Sequence, residues 1–322
     1  MSLGALFVLS TLFLTGCFVG VPGDSAPPTS FQGRIIFEQA HSNGFVIPQG
    51  VMSYNLASEQ MLAVAQGRLP RQPKADIPTT YLQACNDKFY RVAQVSSQGL
   101  IQVVTPCSND ISNPSEDVFM LGDATEFGLV NSSHDGQRIS VTAYYPIINE
   151  AETHVVGTQY NTLVYSQAGE LQFTFADAYD ATWLADGRML YAFGSDLFIT
   201  DAQLGSVSQV TPDGLFANGV NNPAVHPDGQ SVVFEFNNQI WQIQLDGSNP
   251  RKILESDSRL RHPTWSPDGK YLLFTSWDLT YAQALKSFFV YDIGANQSYR
   301  IDIDHLLETL GEPWGPYSWI SE

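Results

Sequence analysis

The chain has 322 residues, 43% hydrophobic and 12% aromatic, which is core material for one large domain or two ordinary ones and excludes a disordered or low-complexity protein. Its 15 Lys and Arg stand against 33 Asp and Glu, a net charge of -18. So acidic a surface repels phosphate backbones, which excludes nucleic acid as an electrostatic partner. The charge is concentrated, since residues 92–250 hold 18 acidic side chains and only two basic ones, Arg138 and Arg188.

In chain order, Leu3 to Leu14 form an apolar run of 12 residues, too short to span a bilayer but suited to the core of a signal peptide. The run ends in Leu14-Thr15-Gly16-Cys17, which resembles the lipobox of bacterial lipoproteins. The resemblance implies a signal peptide over 1–16, cleavage before Cys17, and acyl chains such as palmitate on that cysteine. Several chains, each methylene worth about 0.8 kcal/mol, hold a soluble domain on a membrane. No Lys or Arg precedes the run, a departure from the usual pattern. Phe18 stands where an inner-membrane retention signal places Asp, which implies an outer-membrane lipoprotein facing the periplasm. Residues 17–31, with Pro22, Gly23, Pro27 and Pro28, read as the lipidated cysteine and a short tether.

Cys85 and Cys107 lie 22 residues apart beside strand-like stretches, and an exported chain matures where disulfides form. A disulfide between them is expected; two small buried thiols are the alternative. A metal site needs more ligands than this pair supplies.

From there on the chain repeats. The copies are His262-Pro263-Thr264-Trp265-Ser266-Pro267-Asp268-Gly269, Asn222-Pro223-Ala224-Val225-His226-Pro227-Asp228-Gly229, Ala181-Thr182-Trp183-Leu184-Ala185-Asp186-Gly187 and, more weakly, Ser132-Ser133-His134-Asp135-Gly136. Each predicts a hairpin: Pro sets φ, Asp accepts from nearby backbone N–H groups, and Gly supplies φ > 0 ahead of an alternating strand. A third strand follows each copy, as at Trp241-Gln242-Ile243-Gln244-Leu245, and a fourth closes the unit, as at Arg251-Lys252-Ile253-Leu254. Four antiparallel strands per repeat predict a propeller blade. The chain closes on Pro316-Tyr317-Ser318-Trp319, the first half of the motif, and opens after the tether on Gln32-Gly33-Arg34-Ile35-Ile36-Phe37, the second half. The C-terminal strand should therefore complete the first blade and remove exposed edges. With a weak turn at Asn86-Asp87 as the second mark, the Asp slots divide 32–322 into six intervals of 40 to 55 residues. The prediction is an all-β, six-bladed β-propeller of four-stranded antiparallel blades over residues 32–322.

The Pro-x-Trp-Ser-Pro-Asp-Gly hairpins resemble the repeats of TolB-type β-propellers, periplasmic proteins of Gram-negative bacteria. The likeness is strong over 181–302 and partial over 126–175. TolB itself carries a separate domain before its propeller, and residues 18–31 are too few to form one. A TolB-like propeller lipoprotein is expected rather than TolB.

The search for chemistry finds no Gly-x-Ser-x-Gly elbow, no His-Glu-x-x-His, no phosphate-binding loop and no dinucleotide fingerprint. Six blades leave no span for a separate catalytic domain, and no cofactor is called for. His226 and His262, close to the channel-facing strands, are a candidate metal pair without a third ligand; otherwise His226 fills the Ser slot of its turn and His262 begins a strand. Trp183, Trp265 and Trp319 share one slot, which points to blade packing. Candidate partner-binding residues are Trp277, in a long insertion, and Trp314, after a short predicted helix over Asp304–Leu310. To these is added the basic group Arg251, Lys252, Arg259 and Arg261. Residues 107–126 form a long acidic connection, a position where recognition often resides. Two functions are carried forward. The favoured one is a membrane-tethered, non-enzymatic scaffold for a protein or peptide of the cell envelope. The other is a metal-dependent hydrolase or lyase acting on a sugar or lactone in the channel.

Overall fold

An aspartate that accepts from the backbone two residues ahead bends the chain back on itself, and the hairpins turn at these points. The carboxylates of Asp135, Asp186, Asp228 and Asp268 accept from the N–H of Gln137, Arg188, Gln230 and Lys270 at 3.0, 3.1, 2.8 and 3.2 Å. The glycines that follow hold positive φ, +70° at Gly229 and +71° at Gly269. A computed structural model describes residues 31–40, 50–66, 68–84, 90–105, 126–148, 155–277, 286–301 and 312–321. Among the described residues all regular structure is strand.

Six four-stranded antiparallel sheets follow one another around a ring. The first is β1 (Arg34–Ala40), β2 (Gly50–Asn55) and β3 (Gln60–Gln66), completed on its inner side by β24 (Glu312–Ile320). The second is β4 (Arg68–Arg71), β5 (Thr79–Ala84), β6 (Tyr90–Val95) and β7 (Ile101–Val103). The third is β8 (Glu126–Ser132), β9 (Arg138–Ile148), β10 (Val155–Ser166) and β11 (Leu171–Ala176). The fourth is β12 (Ala178–Trp183), β13 (Met189–Phe193), β14 (Asp196–Thr200) and β15 (Val207–Gln209). The fifth is β16 (Asn221–Val225), β17 (Ser231–Phe236), β18 (Gln239–Gln244) and β19 (Arg251–Leu254), and the sixth β20 (Arg259–Trp265), β21 (Tyr271–Trp277), β22 (Lys286–Asp292) and β23 (Gln297–Ile301). The innermost strands β24, β4, β8, β12, β16 and β20 touch in succession and close the ring. As the repeat implied, the C-terminal strand completes the first blade, with Arg34 opposite Ile320 and Ile35 opposite Trp319.

The core lies between blades. Ile35, Phe37, Tyr317 and Trp319 of the first blade pack on Leu273, Phe288 and Val290 of the sixth. The three tryptophans of the shared slot are buried, and their indoles bind across the structure. Trp183 Nε1 donates to Ser140 Oγ at 3.1 Å and Trp265 Nε1 to the Ala224 carbonyl at 3.2 Å, each in the preceding blade. Trp319 Nε1 donates to the Gln32 carbonyl at 2.9 Å, tying the closing strand to the chain that enters β1.

One turn differs from expectation. The inner hairpin of the second blade lies at residues 72–78, between β4 and β5, and the Asn86-Asp87 mark falls between β5 and β6, outside the described residues. The motif is missing because a side chain does its work. Gln72 Nε2 donates to the Ile77 and Ala75 carbonyls at 2.7 and 3.3 Å, and its Oε1 accepts from Thr79 Oγ1 at 3.0 Å. The blade count was right although this mark was misplaced. Cys17, Cys85, Cys107, the predicted helix over 304–310 and nearly all of the 107–126 connection also lie outside the described residues.

Candidate functional site: the central channel

Inner strands of a propeller carry their side chains toward an axial channel, and here each is interrupted by a bulge that re-aims them. Register shifts fall between Tyr179 and Thr182 on β12, Asn221 and Ala224 on β16, and Arg261 and Thr264 on β20. At the bulges Asp180, Asn222 and His262, equivalent positions of the repeat, take φ of +51°, +47° and +53°. Asn, Asp and His are the non-glycine residues enriched in this region.

The channel opens into a cavity at each end. At the Asp-Gly hairpin end a cavity of 290 Å³ is lined from all six blades, with Arg71, Lys74, His134 and His226 as its ionisable groups and, among the described residues, no Asp or Glu. The opposite cavity, 670 Å³, is lined by Asp177 and Asp180 and by Tyr144, Tyr160 and Tyr179, with His262 and, among the described residues, no Lys or Arg. The tyrosines form a continuous wall, with ring centroids 5.2 Å apart for Tyr144 and Tyr160 and 5.4 Å for Tyr160 and Tyr179. Burial pushes the Tyr179 phenol up to about 12, with Asp180 and Tyr160 adding to the shift.

Between the cavities the wall holds buried charge. Glu235, 1% exposed, accepts from Arg261 Nη1 at 2.6 Å, from the His262 N–H at 2.5 Å and from Asn222 Nδ2 at 2.9 Å. Burial raises its carboxyl above the usual range, against the pull of Arg261 and the His262 N–H. Asp180 is likewise raised by burial, opposed by the Asn222 N–H at 2.9 Å and by the charge of Arg71. Arg71 donates from Nη1 to the Tyr317 carbonyl at 2.5 Å, and burial lowers its guanidinium to about 10, with Asp180 opposing. Buried Glu38 pairs with Arg68 Nε at 3.3 Å. A lone acid in the otherwise apolar β17 run Ser231-Val232-Val233-Phe234-Glu235-Phe236 is a signal by which sequence reasoning could have found Glu235, and it was missed. Arg71 and Asp180 carry no comparable mark.

The histidines separate. His226 lines the hairpin-end cavity, where Nε2 shares a hydrogen bond with the Gly269 carbonyl at 3.1 Å and the ring stands edge-on to Trp265 at 4.5 Å, while His262 lines the other. His226 accordingly fills its turn slot and joins the fifth blade to the sixth. Among the described residues no group of three or more His, Cys, Asp or Glu is placed to hold one metal ion.

The basic group divides as well. Arg251 and Lys252 lie on the outer strand β19, where Arg251 donates to Gln242 Oε1 at 2.7 and 3.1 Å and Lys252 pairs with Glu255 at 2.6 Å. Arg259 and Arg261 lie on the inner strand β20, Arg259 exposed and Arg261 turned into the channel wall. Trp277 ends β21 and Trp314 lies in β24 opposite Glu38, their side chains outside the described residues.

The architecture is that of a six-bladed propeller, and comparison with solved structures gives it a particular likeness. The chain is similar to TolB from Acinetobacter baumannii, at 14% identity and a TM-score of 0.63, over 94% of this chain and 69% of that one. It is also similar to oligogalacturonate lyase from Vibrio parahaemolyticus (11% identity, TM-score 0.51, 85% and 79% of the two chains). A propeller in a nidogen/laminin complex is a third likeness (9% identity, TM-score 0.56, 89% and 97%). No family model and no curated protein matches the sequence. The fold is therefore a TolB-like six-bladed β-propeller.

Proposed function

We propose that this chain is a lipoprotein of the bacterial outer membrane whose periplasm-facing propeller is a non-enzymatic scaffold for a protein or peptide of the cell envelope. The observation that carries it is the channel, open at two ends of opposite charge and walled by a rigid ring, a surface suited to recognition by charge and shape. The Leu14-Thr15-Gly16-Cys17 sequence supports the anchor, and Cys85 with Cys107 supply one disulfide of an exported domain. Trp277, Trp314 and exposed Arg259 are proposed to meet the partner.

Crosslinking in intact cells, followed by purification of the tagged chain from membranes, tests this. One reproducible partner is expected with the wild type. With Cys17→Ser the chain should leave the membrane fraction and lose that partner. Repeated crosslinking without a partner overturns the scaffold. A tightly bound metal that is lost in His262→Ala would instead favour the channel hydrolase or lyase. Alkylation without reductant should leave Cys85 and Cys107 unlabelled in the mass spectrum.

A further inference from the structure

Among the described residues, the hairpin-end cavity contains a cation without a counter-ion. Arg71 uses Nη1 on the Tyr317 carbonyl, while its Nε is buried with no partner and no acceptor meets Nη2. Among the described residues it forms no ion pair; Asp180 acts on it only through its field and lines the opposite cavity. A second buried atom in the same lining, His134 Nδ1, also lacks a partner. Lys74 adds positive charge at the rim, and its pairing with Asp76 at 3.2 Å is exposed and therefore weak.

Carboxylates stand close by in sequence, but they are turned into their own hairpins. Asp135 takes Ser133 Oγ at 2.6 Å and the Gln137 N–H, and Asp268 takes Ser266 Oγ at 2.7 Å and the Lys270 N–H. Neither lines the cavity. Buried polar groups in native proteins find partners, so the unpartnered Arg71 Nε–H among the residues lining this cavity marks a missing acceptor, which His134 Nδ1 can also meet as its Nδ1–H tautomer.

We propose that this cavity is a carboxylate site that takes an acid on a carbon stem, either a small free carboxylic acid or an Asp or Glu side chain of a peptide. The free edge of the guanidinium, Nε with Nη2, matches a planar carboxylate. Apolar residues of the same lining, Pro73, Ala224, Val225 and Pro227 among them, offer a wall for the stem, which inorganic phosphate lacks. A volume of 290 Å³ admits a side chain or a short diacid rather than a folded element. The site goes beyond the scaffold, because a free acid would fill it with no protein partner present.

Titration calorimetry on the full-length chain in detergent tests the site with four probes: glutarate, an acetylated Gly-Glu-Gly amide, inorganic phosphate and methylammonium. Saturable one-site binding of a carboxylate probe is expected, with phosphate at least about tenfold weaker and methylammonium silent. Binding of glutarate identifies a free acid as the source, and binding of the peptide alone identifies a protein segment. Arg71→Gln should weaken binding by about tenfold or more, the loss of one charge-assisted fork. Since Arg71 also holds Tyr317, the surface variant Lys74→Glu serves as the second measure, and it should weaken binding about tenfold at unchanged Tm. No saturable carboxylate binding, tighter binding of phosphate, or a Lys74→Glu chain that binds as the wild type does would overturn the site.

Discussion

The two ends of the channel are built from the same repeat and present opposite chemistry. At the hairpin end the repeat places an Asp in each motif turn, yet the cavity shows only Arg71, Lys74, His134 and His226, because the turn carboxylates face their own backbone. At the other end the bulge places Asp180 in a lining with Asp177 and a wall of tyrosines. Net charge is therefore a poor guide to local composition: a chain of net charge -18 carries a mouth whose described lining holds no acid. What decides the lining is where each carboxylate is placed by its turn or bulge, not how many the chain carries.

The wall between the ends is the place to break this contrast with the largest effect. Glu235→Ala leaves Arg261, the His262 N–H and the Asn222 amide without their shared acceptor, and should cost about 3–5 kcal/mol in denaturant unfolding. Glu235→Gln keeps the shape and should cost less. Trp265→Phe removes the indole hydrogen bond to the Ala224 carbonyl between the fifth and sixth blades, a loss of about 0.5–1.5 kcal/mol by the same measurement. Asp268→Ala, at an exposed turn, should cost about 1 kcal/mol, seen as a small drop in the denaturation midpoint.

The smallest and most diagnostic effect is on pH dependence, where the two kinds of carboxylate have opposite signs. In Asp268, the hydrogen bonds from Ser266 and the Lys270 N–H outweigh burial and hold the carboxyl below 3.8. In Asp135 the Ser133 hydroxyl is the main cause of the same shift, with burial opposing. Their contribution to stability is present above pH 3.8 and is lost as pH falls through the lowered folded values. Glu235 and Asp180 are raised by burial, so their contribution is complete below 4.5 and 3.8 respectively and is lost as pH rises through the folded values. Unfolding free energy measured across pH should flatten on the acid side in Asp268→Asn and on the alkaline side in Glu235→Gln. Identical profiles for the two variants would show that the ends do not differ in this way.

The fold was legible because its strongest constraints are local. Asp228-Gly229 and Asp268-Gly269 announce hairpins within two residues, and Trp183, Trp265 and Trp319 at one slot announce the packing between blades. The second blade was misread where a longer-range bond replaced the local one, Gln72 reaching Ile77 and Thr79 in place of an Asp-Gly turn. The channel was harder to read for the same reason. Arg71, Glu235 and Asp180 come from three blades, and only closure of the ring brings them near one another. The basic group at 251–261 shows the converse, since proximity in sequence crossed from an outer strand to an inner one and separated its members.

The strand that begins the ring has a mechanical consequence. β1 is hydrogen-bonded on one side to β2 and on the other to β24, with Trp319 clamped on Gln32 just before it. Ladder bonds run perpendicular to the strand, so tension drawn through residue 31 stretches both ladders at once rather than opening them one rung after another. Residue 31 thus leads into a part of the ring geometrically suited to withstand load. A pull on it should be shared among the blades through the closing strand before any single blade unfolds.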